Sequence, residues 1–241
     1  MFFHLGKQAA LVILEGLLGE ISLSEISSKD EPMVLARLPL GEEMVEQEKA
    51  EPCLMVFDLE TRNLAQDVGG WRNTHLMRVS VAVIYDSLED RFVVYEEDRV
   101  DDLLAHLQKA DLIVGFNVKR FDYRVLSAYT GMDFNFLPTF DILEDIYHRL
   151  GFRLSLDHLA KETLNKGKIA DGLQAVEWFR NGEMEKLTEY CRQDVVVTRD
   201  LFEYGLKNGQ LMYSEKRSNK RLRLLVDWKL DELLASFSEG V

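Results

Sequence analysis

The chain has 241 residues, 46% apolar and 29% charged, which suits one soluble globular domain with a sizeable core plus an accessory segment. Its formal net charge of −13 excludes the broad basic field of a non-specific nucleic-acid binder, so either the partner is not nucleic acid or the contact is local and metal-assisted. The two cysteines, Cys53 and Cys191, lack CxxC spacing, which excludes a disulfide scaffold or zinc site and fits a reducing cytoplasm.

Ala9 to Leu18 is an apolar run, but Glu15 interrupts it and it is too short to cross a bilayer. The pattern predicts an amphipathic helix from about Lys7 to Gly19, a strand over Met33–Leu38 and a charged linker over Gly41–Glu51. Residues 1–50 therefore read as an appendage without assigned chemistry, available to dock a protein partner. Residues 51–208 read as the main domain, and 209–241 as a C-terminal hairpin and helix packed on it.

From Cys53 the pattern becomes regular. Leu54–Phe57 reads as a short buried strand that ends in Asp58 and Glu60, two carboxylates on one face because strand side chains alternate. An isolated D-x-E is more often a cap and a solvated acid; here the two acids would repel and resist desolvation unless a cation sat between them. A Gly-rich loop, Asp67 to Trp71, leads to strands over Met77–Tyr85 and Arg91–Tyr95, making a meander of three. Helical spacing over 99–109, an apolar strand over Asp111–Gly115, a helix over Arg120–Tyr129, an extended Leu137–Ile142 and a nearly all-helical stretch to Lys207 complete the order. That order predicts an α/β fold, a mixed central sheet with helices on both faces.

Two further acidic positions follow. Gly115 to Asp122, GFNVKRFD, runs from a strand into a helix; if its strand lies parallel beside the first, Asp122 faces the Asp58/Glu60 pair at the carboxyl ends of the strands. Asn117 could pin that loop through its side-chain amide. Taken alone, Asp122 has even odds of being a helix-entry acid. Tyr190 and Asp194, four apart in a helical stretch, share one face, with Val195, Val197 and Leu201 able to dock the helix on the sheet.

The sequence D-L-E-T at Asp58–Thr61, N-x-x-x-F-D at Asn117–Asp122 and Y-x-x-x-D at Tyr190–Asp194 resembles the three exonuclease motifs of the DEDDy subclass, on the RNase H-like fold. The chain looks most like the stand-alone YprB-type domains, over roughly Leu54 to Phe202 and including Leu154–Ala160, which resembles the family's S-L-x-x-L-A helix. This resemblance implies a five-stranded RNase H-like sheet and a 3′-5′ exonuclease that releases mononucleotides from single-stranded 3′ ends, DNA ahead of RNA. It also implies two divalent ions, Mg²⁺ or Mn²⁺, about 3.5 to 4 Å apart, one generating the nucleophile and one holding the leaving group. Asp58, Glu60 and Asp194 would hold one ion, Asp58 with Asp122 through water the other, and Tyr190 would orient the attacking water. Some relatives use His one residue nearer Asp194; that position here is Cys191.

Expected substrate contacts are Thr61, Trp71, Asn117, Lys119, Arg120 and Phe121, with Arg72, His75 and a basic hairpin of Lys216, Arg217, Lys220, Arg221 and Arg223 as further candidates. For Trp71 and the hairpin a packed Trp and a solvated turn are at least as common. His158 reads as a capping or packing residue and Asp141 as an organiser of a strand end, neither as a metal ligand. Two rival classes are a non-catalytic RNase H-like binding module, favoured only by the acidic surface, and a phosphatase with Asp58 as nucleophile. The second wants an Asp at position 60 and leaves Tyr190 without a role.

Overall fold

The computed structural model describes residues 51–167, 172–215 and 220–238. The helix expected over Lys7–Gly19, the strand over Met33–Leu38, the Gly41–Glu51 linker apart from Glu51, and Lys216 and Arg217 with the Ser218–Asn219 turn lie outside the described residues.

Five strands form one mixed sheet in the order β3-β2-β1-β4-β5. β1 (Leu54–Thr61), β2 (Val79–Asp86) and β3 (Arg91–Glu96) make the expected antiparallel meander. α1 (Val100–Leu107) crosses to β4 (Leu112–Gly115), parallel to β1, and α2 (Asp122–Leu126) crosses to β5 (Thr139–Asp141), parallel to β4. Then follow α3 (Ile142–Leu150), α4 (Leu156–Leu159) continued by a π-helical turn at Ala160–Leu164, α5 (Gly172–Arg180) and the long α6 (Met184–Asn208). A hairpin of β6 (Gln210–Ser214) and β7 (Arg221–Leu225) leads to α7 (Leu230–Ser238).

Burial on both faces explains why β1 and β4 are near-continuous apolar runs. Met55, Phe57 and Leu59 point to one side with Ile113, where Leu103 and Leu107 of α1 and Val125 and Leu126 of α2 pack on them. Val56 points to the other with Val81, Val83, Leu112 and Val114, under Val195, Leu201 and Phe202 of α6. Leu211, Leu224, Val226 and Trp228 extend that second core.

The elements differ from the sequence expectation in ways that matter to the site. β1 runs on to Thr61 because β2 pairs with it throughout, so Asp58 and Glu60 lie inside the strand rather than after it. β2 starts at Val79, not Met77, since Arg78 has a left-handed φ of 60°. Glu60 pairs with Val81 but Thr61 with Val79, a β-bulge with Ser80 as the extra residue. Val79 therefore joins the α1/α2 side although Val81, two residues on, joins the α6 side. The Ser80 hydroxyl is the sole buried side-chain polar atom without a hydrogen bond among the described residues. The helix expected over Arg120–Tyr129 shortens to α2 because the chain first turns back, with the Arg120 and Phe121 amides donating to the Asn117 carbonyl.

That turn is held closed at Gly115. A Cβ there would meet Val118 Cγ1 at 2.2 Å, and Val118 is wholly buried and cannot swing aside. Gly115→Ala is expected to cost about 1–3 kcal/mol through overpacking, read as a lower urea midpoint with an unchanged slope.

Candidate active site

β4 pairs with β1 only as far as Val56↔Val114, so β1 has no strand neighbour on that edge from Asp58 onward. The turn after β4 fills the gap: Asp122, the first residue of α2, accepts a hydrogen bond from the Leu59 amide at 3.1 Å. This brings Asp122 beside β1, where adjacent parallel strands would put it, although its carboxylate is not one of the three that converge. From the other side α6 brings Asp194 onto the Asp58/Glu60 face, and carboxylate oxygens of Asp58, Glu60 and Asp194 lie within 4.8 Å of one another. Tyr190, one turn earlier on α6, hydrogen-bonds Asp194 through its hydroxyl and stacks edge-on to Trp178 at 6.0 Å.

Electrostatics make this cluster unfavourable in the absence of cations. Burial, then Asp122, Asp194 and Glu60, push the Asp58 carboxyl well above its usual range. Glu60 rises for the same reasons, burial first, then Asp194 and Asp122. Asp122 is pushed up to about 8 by burial, with a small addition from Asp141, against the pull of its backbone hydrogen bonds. Burial and the surrounding carboxylates keep the Tyr190 phenol neutral. The donor set is hard oxygen throughout. Cys191, whose Sγ donates to the Asp58 carbonyl at 3.4 Å, is held as the thiol by burial and by the same acids. Such a set suits a hard cation better than a soft one.

Two clefts meet at Asp58 and Phe116. An aromatic cleft of about 630 Å³ runs past Glu60, Thr61, Asp122, Trp71 and Phe121. A more polar cleft of about 560 Å³ runs past Asp194, Asn117, Arg153 and His158. Trp71 is 68% exposed and stands edge-on to Phe121 at 6.2 Å, forming an aromatic wall of this cleft. Thr61 lines the same cleft, but its hydroxyl is spent on the Asn63 carbonyl at 3.0 Å.

Several expected contacts stand elsewhere. Lys119 pairs with Glu144 at 2.7 Å, and neither it nor Arg120 lines either cleft, because the turn after β4 points both outward toward α3. Arg72 and His75 are exposed on the 3-10 helix Trp71–Leu76, and Lys220, Arg221 and Arg223 are exposed along the hairpin. His158 has the packing role expected of it: its backbone amide is capped by Ser155 Oγ, and its Nε2 accepts from the Ser214 amide at 3.0 Å.

The loop is not pinned by the Asn117 amide. Asn117 has a φ of 69°, and its side-chain oxygen instead accepts from Arg153. The anchor is Asp141, whose carboxylate accepts from the amides of Asn117, Lys119, Leu143 and Glu144, capping α3 while holding the turn that leads to Asp122. Asp141→Ala is expected to lower stability by about 2–4 kcal/mol, a lost cap plus stranded amides, measurable by chemical denaturation. The role was half visible: D-I-L-E is a helix-start signal, but its grip on a loop 24 residues earlier is tertiary. Arg153 and Phe116 were missed outright.

Sheet order, crossovers and the carboxylate cluster together define an α/β domain of the RNase H-like kind. A family model described as the RNase_H superfamily matches residues 55–205, more than half of the chain. The chain belongs to that superfamily. No curated protein matches it. Among solved structures it is similar to the family B DNA polymerase from the hyperthermophilic archaeon Pyrobaculum calidifontis, at 18% identity and a TM-score of 0.48, over 65% of this chain and 25% of that one. The chain thus spans about a quarter of the polymerase's length. No helix among the described residues is long and apolar enough to cross a membrane.

Proposed function

We infer that the chain is a metal-dependent 3′-5′ exonuclease of DEDDy type that hydrolyses single-stranded nucleic acid, DNA ahead of RNA, to mononucleotides. The observation that carries this reading is the convergence of Asp58, Glu60 and Asp194 within 4.8 Å, with Asp122 and Tyr190 against them, where two open clefts meet. The 3′ polarity and exo character rest on the motif resemblance.

Asp58, Glu60 and Asp194 would hold one divalent ion, and Asp58 with Asp122 a second. When bound, Mg²⁺ or Mn²⁺ supplies the charge that admits a phosphodiester to an acidic protein, activates water and stabilises the leaving oxygen. Asp122, already bonded to the Leu59 amide, is anchored to the backbone and reaches outward only through its remaining acceptor capacity. Tyr190, neutral and fixed by Asp194, orients the attacking water. Trp71 and Phe121 stack the terminal base. In this reading residues 51–208 carry the activity, 209–241 brace it, 1–50 dock a protein partner, and the protein works in the cytoplasm.

The test is digestion of 5′- and 3′-labelled single-stranded DNA and RNA with Mg²⁺, Mn²⁺ or EDTA, with Asp58→Ala as control. The expected result is a metal-dependent ladder shortening from the 3′ end, lost in the variant. Tyr190→Phe is expected to slow the same ladder about 100-fold while leaving metal affinity intact. Internal cuts would discard the exonuclease assignment. Absence of any cleavage by folded protein would leave the non-catalytic binding module.

A further inference from the structure

Among the described residues more than half of the lysines and arginines are already held in ion pairs, among them Lys119 with Glu144, Arg149 with Asp145 and Arg180 with Asp67. Arg120 and Arg153 make no ion pair among the described residues, and both line one hollow of about 190 Å³ beside the polar cleft. The hollow also holds two acids, but neither is available. Asp141 is consumed by four backbone amides, and Glu144 is paired with Lys119. Asn117 and Arg153 belong to both the hollow and the polar cleft, and the Asn117 side-chain oxygen orients the Arg153 guanidinium. His148 forms part of the outer wall.

We propose that this hollow is a phosphate-binding subsite, in which Arg153 and Arg120 hold a backbone phosphodiester of the substrate strand upstream of the bond to be cut. The proposal rests on the exonuclease reading for the direction of the strand. Its chemistry needs only a polyanion entering along the polar cleft from Asp58 and Asp194. A planar guanidinium held by an amide oxygen at one nitrogen keeps its other donors for phosphate oxygens. An acidic protein thereby gains a basic foothold where the strand must lie, without a basic surface.

Binding of a 5′-fluorescein-labelled single-stranded DNA to the full chain, with Ca²⁺ as the divalent ion, is followed by anisotropy across a salt series. Each phosphate contact on a single strand contributes about 0.7 to the slope of log affinity against log salt. Arg120→Gln/Arg153→Gln is expected to flatten the slope by about 0.7, for the one phosphate the pair holds, and Arg120→Lys/Arg153→Lys to restore most of it. Arg124→Gln, which removes an equal charge at a residue outside this hollow, is expected to leave it unchanged. Neutral methylphosphonates placed one linkage at a time upstream of the 3′-terminal linkage, which is left as phosphate, are expected at one position to weaken the wild type about tenfold and to weaken the double Gln variant no further. An unaltered slope in the double Gln variant, or a wild type that binds no single strand, overturns the proposal. A wild type that binds with the expected slopes yet cuts nothing refutes the exonuclease reading and leaves the phosphate subsite standing.

Discussion

Asp58→Asn abolishes hydrolysis by at least about a thousandfold, equivalent to about 4 kcal/mol of transition-state stabilisation, while making the metal-free protein more stable. The two effects share one cause. Asp58 is the residue common to both proposed ion positions, and it lies where the two clefts meet. In the absence of cations, however, its charge is repelled by Asp122, Asp194 and Glu60 in a poorly solvated site. Asparagine keeps the shape and removes the charge, so about 1–3 kcal/mol should be regained in EDTA, raising Tm by several degrees. Mg²⁺ and Mn²⁺ should then stabilise the variant much less than the wild type. A variant that loses activity and stability together would mean that Asp58 holds the fold and not the ions.

The second large effect concerns pH. Asp122 is raised to about 8 when folded, and Asp58 and Glu60 are also raised, so the folded state binds these protons more tightly than the unfolded chain. Stability from such groups is complete below the unfolded carboxylate range and is lost as pH rises through the folded values. The metal-free protein is therefore expected to lose several kcal/mol, to order of magnitude, between about pH 5 and pH 8 in EDTA. Asp86 and Glu97 are shifted the other way, Asp86 by hydrogen bonds from His106 and two backbone amides, Glu97 by those from Tyr129, Arg78 and Arg62. They remove stability below about pH 4, leaving an optimum near pH 4. With Mn²⁺ present the alkaline decline should shrink, since cations bind the deprotonated acids. Urea melts across pH, with and without metal, read this out. A flat EDTA profile from pH 5 to 8 would sink it.

Local periodicity made the centre of the site readable. A spacing of two on a strand puts Asp58 and Glu60 together, and a spacing of four on a helix aligns Tyr190 with Asp194. Asp122 was readable only conditionally, because its approach depends on β4 lying parallel beside β1 and ending sooner. Contacts that cross elements left no such trace. Asp141 reaches back 24 residues to the Asn117 amide, and Arg153 lies 36 residues from the amide oxygen that orients it. Lys119 looked like a substrate contact because it neighbours Asp122 in sequence, yet the turn directs it to Glu144.

The extra residue at Ser80 separates two accounting problems that a plain ladder would tie together. Beyond it, from Val81 to Tyr85, each side chain is locked in step with the carboxylates of β1, and a single inserted or deleted residue would turn a whole row inside out. Before it, the excursion from Asn63 to Met77, which carries Trp71, meets the sheet at the Thr61↔Val79 pair, on the far side of the extra residue from the carboxylates. Its length and shape can therefore vary without turning the acids away from one another. Lineages of this domain can then be expected to diverge by insertions in that excursion, altering what the cleft accepts while the charge centre stays in register.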